Sequence, residues 1–275
     1  MRHWKKALLA SVVAGTVLTG CGTPEQTTKS STVGVNRQQT FSVSSAAINA
    51  EAQKAYSQVL SEARSKRVLD TNPAMVARVK RITNNLIAKT PAIRSDARAW
   101  PWEIHVISMD EMNAWCMPQG KMVIYSGLIN NLKLSDAEIA QVMGHEIAHA
   151  LREHSREQVS REQTTGLIAG VLGAVGEAYG ISGASQITGL TADVGFNLPF
   201  SRIHETEADL LGMELAARAG YNPDAAMNLW NKMQAANAGG SIEFLSSHPD
   251  PANRQAMLRA NADKVRPLYN AAAKK

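Results

Sequence analysis

His145, Glu146 and His149 stand at i, i+1 and i+4 within the stretch Ser135 to Arg156, SDAEIAQVMGHEIAHALREHSR. Two neutral imidazoles one helical turn apart can grip a single divalent ion, and a carboxylate between them can take a proton from water. Zinc suits that donor set. The pattern requires a helix, and its flanks predict one. Ser135 with Glu138 three residues on is a capping-box start, and Ile139, Val142, Met143, Ile147 and Ala150 recur at the spacing of one helix face. His154, counted at ~100° per residue along the same helix, falls well round from His149 and reads as an ordinary packing or helix-end histidine.

A third ligand has to come from elsewhere. The nearby continuation with a Gly and a third His would need Gly at 152 and His at 155, where the chain has Arg152 and Ser155. A later helical stretch, Ser201 to Asp209 (SRIHETEAD), puts Glu205 and Asp209 on one face at i, i+4. A carboxylate from that helix would complete a three-donor site with one open position. Asp209 is then placed to hydrogen-bond a ligand imidazole, while Glu207 points elsewhere.

HEIAH followed by SRIHETEAD resembles the zinc metallopeptidases of the HtpX, CAAX-prenyl-protease and Oma type, in which H-E-x-x-H is completed by the first Glu of E-x-x-A-D. The resemblance spans roughly residues 70 to 265. It implies one zinc ion per chain held by His145, His149 and Glu205, with Glu146 as the base, and it implies polypeptide substrates. The expected fold is a zincin-type α+β domain, mostly helical, with a small and largely antiparallel sheet over the metal helix. Two weaker pieces belong to the same likeness. Asn113, Ala114 and Trp115 with Gly120 resemble the family's edge-strand segment, which would hold an extended substrate through main-chain hydrogen bonds; they also read as a plain hairpin with a Pro-Gln-Gly turn. His248, in Ser247-His248-Pro249, is implied either to stabilise the oxyanion or to block the open metal position, and otherwise would anchor its loop.

The remainder of the chain positions these groups. At 275 residues and 44% hydrophobic content, one globular domain over 46–270 is expected. Residues 1–20 read as a signal peptide: a basic start, an apolar run too short for a bilayer span, then Leu18-Thr19-Gly20-Cys21, which resembles a lipobox and implies lipidation of Cys21. That predicts a lipid anchor in the membrane and a location in a bacterial cell envelope, at the outer membrane facing the periplasm. The formal charge of +5 owes Arg2, Lys5 and Lys6 to the leader, so no nucleic-acid partner is expected. Residues 21–45, rich in Thr, Ser and Gln, read as a flexible tether.

Scaffold helices are expected from Ala46 to Val68 and from Asn72 and Pro73 onward, with strands at Trp102 to Val106 and Lys121 to Tyr125. Cys116 is a lone thiol expected to be a buried bystander, and the glycine-spaced stretch 166–183 reads as a buried or lid segment or as a contact for membrane or partner. The functional expectation is a metalloendopeptidase that removes misfolded or misassembled envelope proteins. A chaperone or assembly factor using the zincin body as a binding module is the alternative. Its mark would be a lost base or ligand, and none is lost.

Overall fold

The computed structural model describes residues 23–164, 200–238, 242–249 and 253–272. Along them run β1 (Thr23–Glu25), β2 (Gln39–Phe41), α1 (Ser45–Ser65), α2 (Pro73–Ile87), β3 (Glu103–Ile107), β4 (Ala114–Met117), β5 (Lys121–Tyr125), α3 (Ser126–Asn131) and α4 (Asp136–Leu151). After these come α5 (His154–Thr164), α6 (Arg202–Arg218), α7 (Ala225–Asn237), α8 (Glu243–Ser247) and α9 (Arg254–Ala272). The fold is the expected α+β arrangement. Of the three strand pairings among the described residues, two, β1 with β2 and β4 with β5, are antiparallel. The third, β3 with β5, is parallel, because the β4–β5 hairpin folds back so that β5 inserts between β3 and β4. β4 is therefore left as an edge strand. The turn of that hairpin needs left-handed backbone at Gln119 and Gly120, and a Cβ on Gly120 would run into the Trp102 ring at 2.1 Å.

α4 is the axis of the domain. Ser135 accepts from the Glu138 amide and Glu138 reaches back to the Ser135 amide, completing the capping box. From Glu138 to Leu151 every residue of the helix is buried, so its polar side chains are enclosed along with its apolar face. α6 lies against it so closely that the two backbones touch. A Cβ at Gly212 would sit 2.6 Å from the His145 amide nitrogen, and one at Gly144 would sit 2.8 Å from the Gly212 carbonyl oxygen. Glycine at both positions is what lets the two site-bearing helices meet at this height.

The helix expected to run from Ser135 to Arg156 is broken. Arg152 caps α4, Glu153 takes φ +50°, and α5 starts at His154. Left-handed backbone at a non-glycine costs on the order of 1–2 kcal/mol; here the Glu153 carboxylate is gripped by Arg94 at 2.7 Å and Arg156 at 2.8 Å. The break turns His154 back toward His149, which is why counting angles along one straight helix misplaced it.

A second correction concerns the supposed tether. Residues 27–41 lie packed on the domain: Val33, Val35 and Phe41 are buried, and the Arg156 guanidinium covers the Phe41 ring at 4.0 Å. Polar side chains fasten the strap. Arg37 donates to Glu207 at 2.8 Å and to Glu157 at 2.8 Å, Gln39 donates to the Arg152 carbonyl at 2.6 Å, and Arg152 donates to the Arg37 carbonyl at 2.9 Å. Composition suggested disorder because the anchoring groups here are polar, and composition does not reveal that buried carboxylates await them.

Burial tends to raise the Glu157 carboxyl, but hydrogen bonds from Arg37, His204 and Gln39 outweigh it and hold the group well below the usual carboxylate range. A depressed folded value stabilises the protein fully above the unfolded-chain value of ~4.3 and loses that contribution as pH falls through it toward the folded value. Glu157→Gln is therefore expected to lose roughly 1.5–3 kcal/mol at pH 7 and to flatten the acid side of the stability curve, as read by urea unfolding at pH 7 and pH 3.

Candidate metal centre

The three donors that the sequence tied to metal chemistry converge inside the protein. Nε2 of His145 and Nε2 of His149 face each other at 3.1 Å. Glu205, on the first turn of α6, puts one carboxylate oxygen 3.6 Å from His145 Nε2 and the other 3.4 Å from His149 Nε2. Metal–ligand bonds of about 2.0–2.1 Å at a tetrahedral angle set donor atoms ~3.3 Å apart, so this spacing fits zinc. The local sequence explains the placing: Ser201 caps α6 by accepting from the His204 amide, which fixes where the helix starts and thus where Glu205 projects.

Protonation also suits a cation. Burial pushes His149 well below the ordinary histidine value, so it stays neutral with a free lone pair. For Glu205 burial pulls the other way, but His248, His149 and His145 outweigh it and keep the carboxylate ionised. An anionic oxygen and the neutral His149 nitrogen, buried beside His145, make a coherent cation site.

Glu146 sits one residue along from His145, buried and raised above the ordinary carboxylate value chiefly by desolvation; the Cys116 amide on the free edge of β4 donates to it. Its Oε1 has no hydrogen-bond partner, and the nearest cationic candidate is His248 Nε2 at 3.5 Å. His248, at the end of α8, brings Nδ1 to 3.0 Å from Glu205 and 3.3 Å from His145 Nε2, so it stands among the donors. Burial alone would lower its pKa, but Glu146 and Glu205 outweigh that and raise it.

The groups behind the donors are as tightly held. Asp209 accepts from His145 Nδ1 at 2.9 Å, the relation expected from the i, i+4 spacing with Glu205. Arg254, at the start of α9, then donates to Asp209 at 2.6 Å and to Glu205 at 2.8 Å while stacking 3.7 Å from the Trp230 ring. Arg254 escaped the sequence reading, because a single Arg behind a loop carries no spacing signal. The outer nitrogen of His149 meets not a carboxylate but Nδ1 of His154, at 3.0 Å.

Beside Glu146 and His248 opens a cleft of about 120 Å³, lined in part by Asn113, Ala114, Trp115, Cys116 and Phe200. Three of the expected substrate-contact residues thus line it, and Asn113 is engaged locally, its side-chain oxygen accepting from the Ala114 amide. Gly120 does not line it; it serves the β4–β5 turn. Cys116 is buried and burial raises its thiol pKa well above the ordinary value, in keeping with an inert role. Cys21 and the glycine-spaced stretch 166–183 lie outside the described residues. No helix among the described residues is long and apolar enough to cross a membrane.

Comparison with known proteins agrees with this geometry. A model of Peptidase family M48 matches residues 73–262. The mitochondrial metalloendopeptidase OMA1 of Schizosaccharomyces pombe is 34% identical over 205 residues, 74% of this chain and 57% of that protein. Its counterpart in Saccharomyces cerevisiae is 33% identical over 176 residues, 61% of this chain and 49% of that one. The beta-barrel assembly-enhancing protease of Escherichia coli is 26% identical over 212 residues, 74% of this chain and 42% of that protein. The chain thus spans about half the length of these relatives. The comparison corrects the cellular placement: the relatives at 33% and 34% identity are mitochondrial proteins, and the expected location at a bacterial outer membrane is not supported. That expectation rested on the leader, Cys21 and the Gly22 that follows it, all of which precede the matched region.

Asp209 is the group that fixes the ring and tautomer of His145. Asp209→Asn is expected to lower zinc affinity by about 10–100-fold, read by competition with a chromophoric chelator.

Proposed function

The chain belongs to peptidase family M48, and on that premise we propose that it is a zinc metalloendopeptidase acting on misfolded or misassembled polypeptides. The single observation that carries the reading is the meeting of His145, His149 and Glu205 around one point, with the unpartnered Glu146 oxygen beside it. Zinc held by those three residues supplies polarisation of the scissile carbonyl and a more acidic water. The chain does the rest. Glu146, raised by burial toward neutrality, takes the proton of the attacking water and returns it to the leaving amine. The free edge of β4 receives the substrate as an added strand, with Ala114 and Trp115 beside the cleft. Main-chain pairing of that kind reads extended conformation more than side-chain identity, which favours unfolded segments over folded ones.

His248 is assigned a resting role. Its imidazole fills the fourth donor place, near enough to Glu205 and His145 to stand where a substrate carbonyl would go. A cleft of about 120 Å³ is small beside the ~300–1,000 Å³ of ordinary ligand pockets. Activity then requires His248 to withdraw with the short segment that carries it.

The proposal is tested by cleavage of a permanently unfolded protein, with bound zinc quantified in the same preparations. Glu146→Gln should retain zinc while the rate falls by about 10²–10⁴-fold. Wild-type protein that binds zinc and leaves the unfolded chain intact, even after release of the histidine, would point instead to a binding module. His248→Ala should cleave several-fold faster than the wild type with zinc content unchanged; a slower variant would assign His248 to the transition state instead.

A further inference from the structure

The two histidines of the donor set are supported differently. His145 has the usual arrangement, a carboxylate behind its outer nitrogen at 2.9 Å. Behind His149 the partner is a second histidine. Nδ1 of His154 lies 3.0 Å from Nδ1 of His149, and Nε2 of His154 lies 3.0 Å from a carboxylate oxygen of Glu207. His154 is fully buried, and His149 and Glu207 are nearly so.

Hydrogen bookkeeping leaves one arrangement. Two ring nitrogens 3.0 Å apart share one proton between them, so one donates and the other accepts. If His154 donated through Nδ1, its Nε2 would turn a lone pair on the Glu207 carboxylate. His149 would then carry its own proton on Nε2, the atom that faces His145 and Glu205. The lone pair would repel the Glu207 carboxylate, and the proton on His149 Nε2 would leave that atom no lone pair for a metal ion. With the protons the other way round, His154 Nε2–H donates to Glu207, His154 Nδ1 accepts from His149 Nδ1–H, and the His149 Nε2 lone pair is left facing Glu205. The charge of Glu207 thus selects the tautomer of His149 through His154.

The far end of this chain of bonds is itself fixed. Arg152 donates to the same Glu207 oxygen at 3.1 Å, and Arg37 of the strap donates to Glu207 at 2.8 Å. The ring of His154 is clamped from the side by His204, stacked at 4.4 Å and 16°. His154, Glu157 and His204 also come close enough together to suggest a second metal position. The guanidinium of Arg37 already lies against Glu157, and those of Arg37 and Arg152 against Glu207, so cations occupy the carboxylates and a further one would be repelled.

We propose that His154 and Glu207 are positioning residues for the zinc ligand His149, forming a carboxylate–histidine–histidine relay that sets its tautomer and aims its metal-side nitrogen. The inference rests on the reading of His145, His149 and Glu205 as the zinc site. It gives a function to the helix break at Glu153, since only a chain that reverses there can bring His154 behind His149.

The test uses the full chain and reads metal rather than cleavage. Zinc affinity by chelator competition, zinc stoichiometry, and the visible spectrum of the cobalt-substituted protein are compared in wild type, His154→Leu, His154→Asn and Glu207→Gln, with the thermal melt of each metal-free form recorded alongside. His154→Leu should weaken zinc by about 10–100-fold and shift the cobalt bands. His154→Asn, whose amide oxygen falls near the place of Nδ1 and can accept from His149, should recover much of that loss. Glu207→Gln should fall between the two. All should hold at most one zinc per chain. Wild-type affinity and spectrum in His154→Leu would overturn the relay while leaving the zinc site standing. Equal losses in the Leu and Asn variants, tracking the metal-free melts, would reduce His154 to packing and overturn it as well. A second zinc lost on His154 substitution would replace the relay with a second metal position, and a wild type that binds no zinc would bring down the relay and the site together.

Discussion

The backbone contact between α4 and α6 is the constraint on which the rest depends. Two helices with ordinary side chains between them pack with axes about 8–10 Å apart; the Gly144–Gly212 pair removes the side chains at the crossing, and a Cβ on either would collide with the opposite main chain. His145 follows Gly144 directly, while Asp209 and Glu205 lie three and seven residues before Gly212, within two turns of α6. The crossing therefore decides the reach from imidazole to carboxylate. Shifting the helices apart by the width of one methyl group would open the 3.4 and 3.6 Å separations beyond what a single ion spans.

Bringing so many charges together in a buried place has an electrostatic consequence that shapes the surroundings. Glu146, Glu205, Asp209, Glu207 and Glu157 are all enclosed, and unpaired buried carboxylates would be costly enough to unfold the site. The chain answers in layers. Arg254 bridges Glu205 and Asp209 on one side, and Arg152 with Arg37 holds Glu207 and Glu157 on the other. One of these counter-charges comes from the last helix and one from the N-terminal strap. The ends of the described chain thus close over the middle, and a segment that composition marks as tether becomes part of the wall.

That layering also explains which parts of the molecule are legible in sequence. The start of α4 and its ligand spacing, the Asn72 cap with Pro73 at the first helical position, and the bounds of β5 all follow from contacts within a few residues, and each was readable. So was Asp209, because i, i+4 geometry links it to Glu205. The features that were not legible depend on groups distant in the chain. Glu153 takes left-handed backbone because Arg94, some sixty positions earlier, holds its carboxylate. Arg37 turns inward, partly buried, because two glutamates on different helices face it. Arg254 finds Glu205 and Asp209 only after α9 has docked, and the parallel pairing of β3 with β5 exists only once the hairpin has folded back.

The place where the structure holds His248 bears on how such a site can be both tight and usable. Everything behind the donors is braced by arginines and packed rings, while His248 is carried on α8, a helix of five residues with no side-chain cap. Its imidazole stacks on Phe244 at 4.4 Å, approaches Glu205 at 3.0 Å and His145 at 3.3 Å, and faces Glu146 at 3.5 Å. A helix that short contributes little cooperative stability of its own, so release of the histidine does not require the donor set to move. On the proposed function, a substrate entering along the edge of β4 would meet Glu146 on the same side as His248 and would gain main-chain hydrogen bonds there in exchange for the contacts that hold the histidine. Rigidity behind the ligands and weakness in front of them are therefore complementary: the first keeps the donor geometry fixed, and the second leaves the fourth place as the part of the centre that can give way.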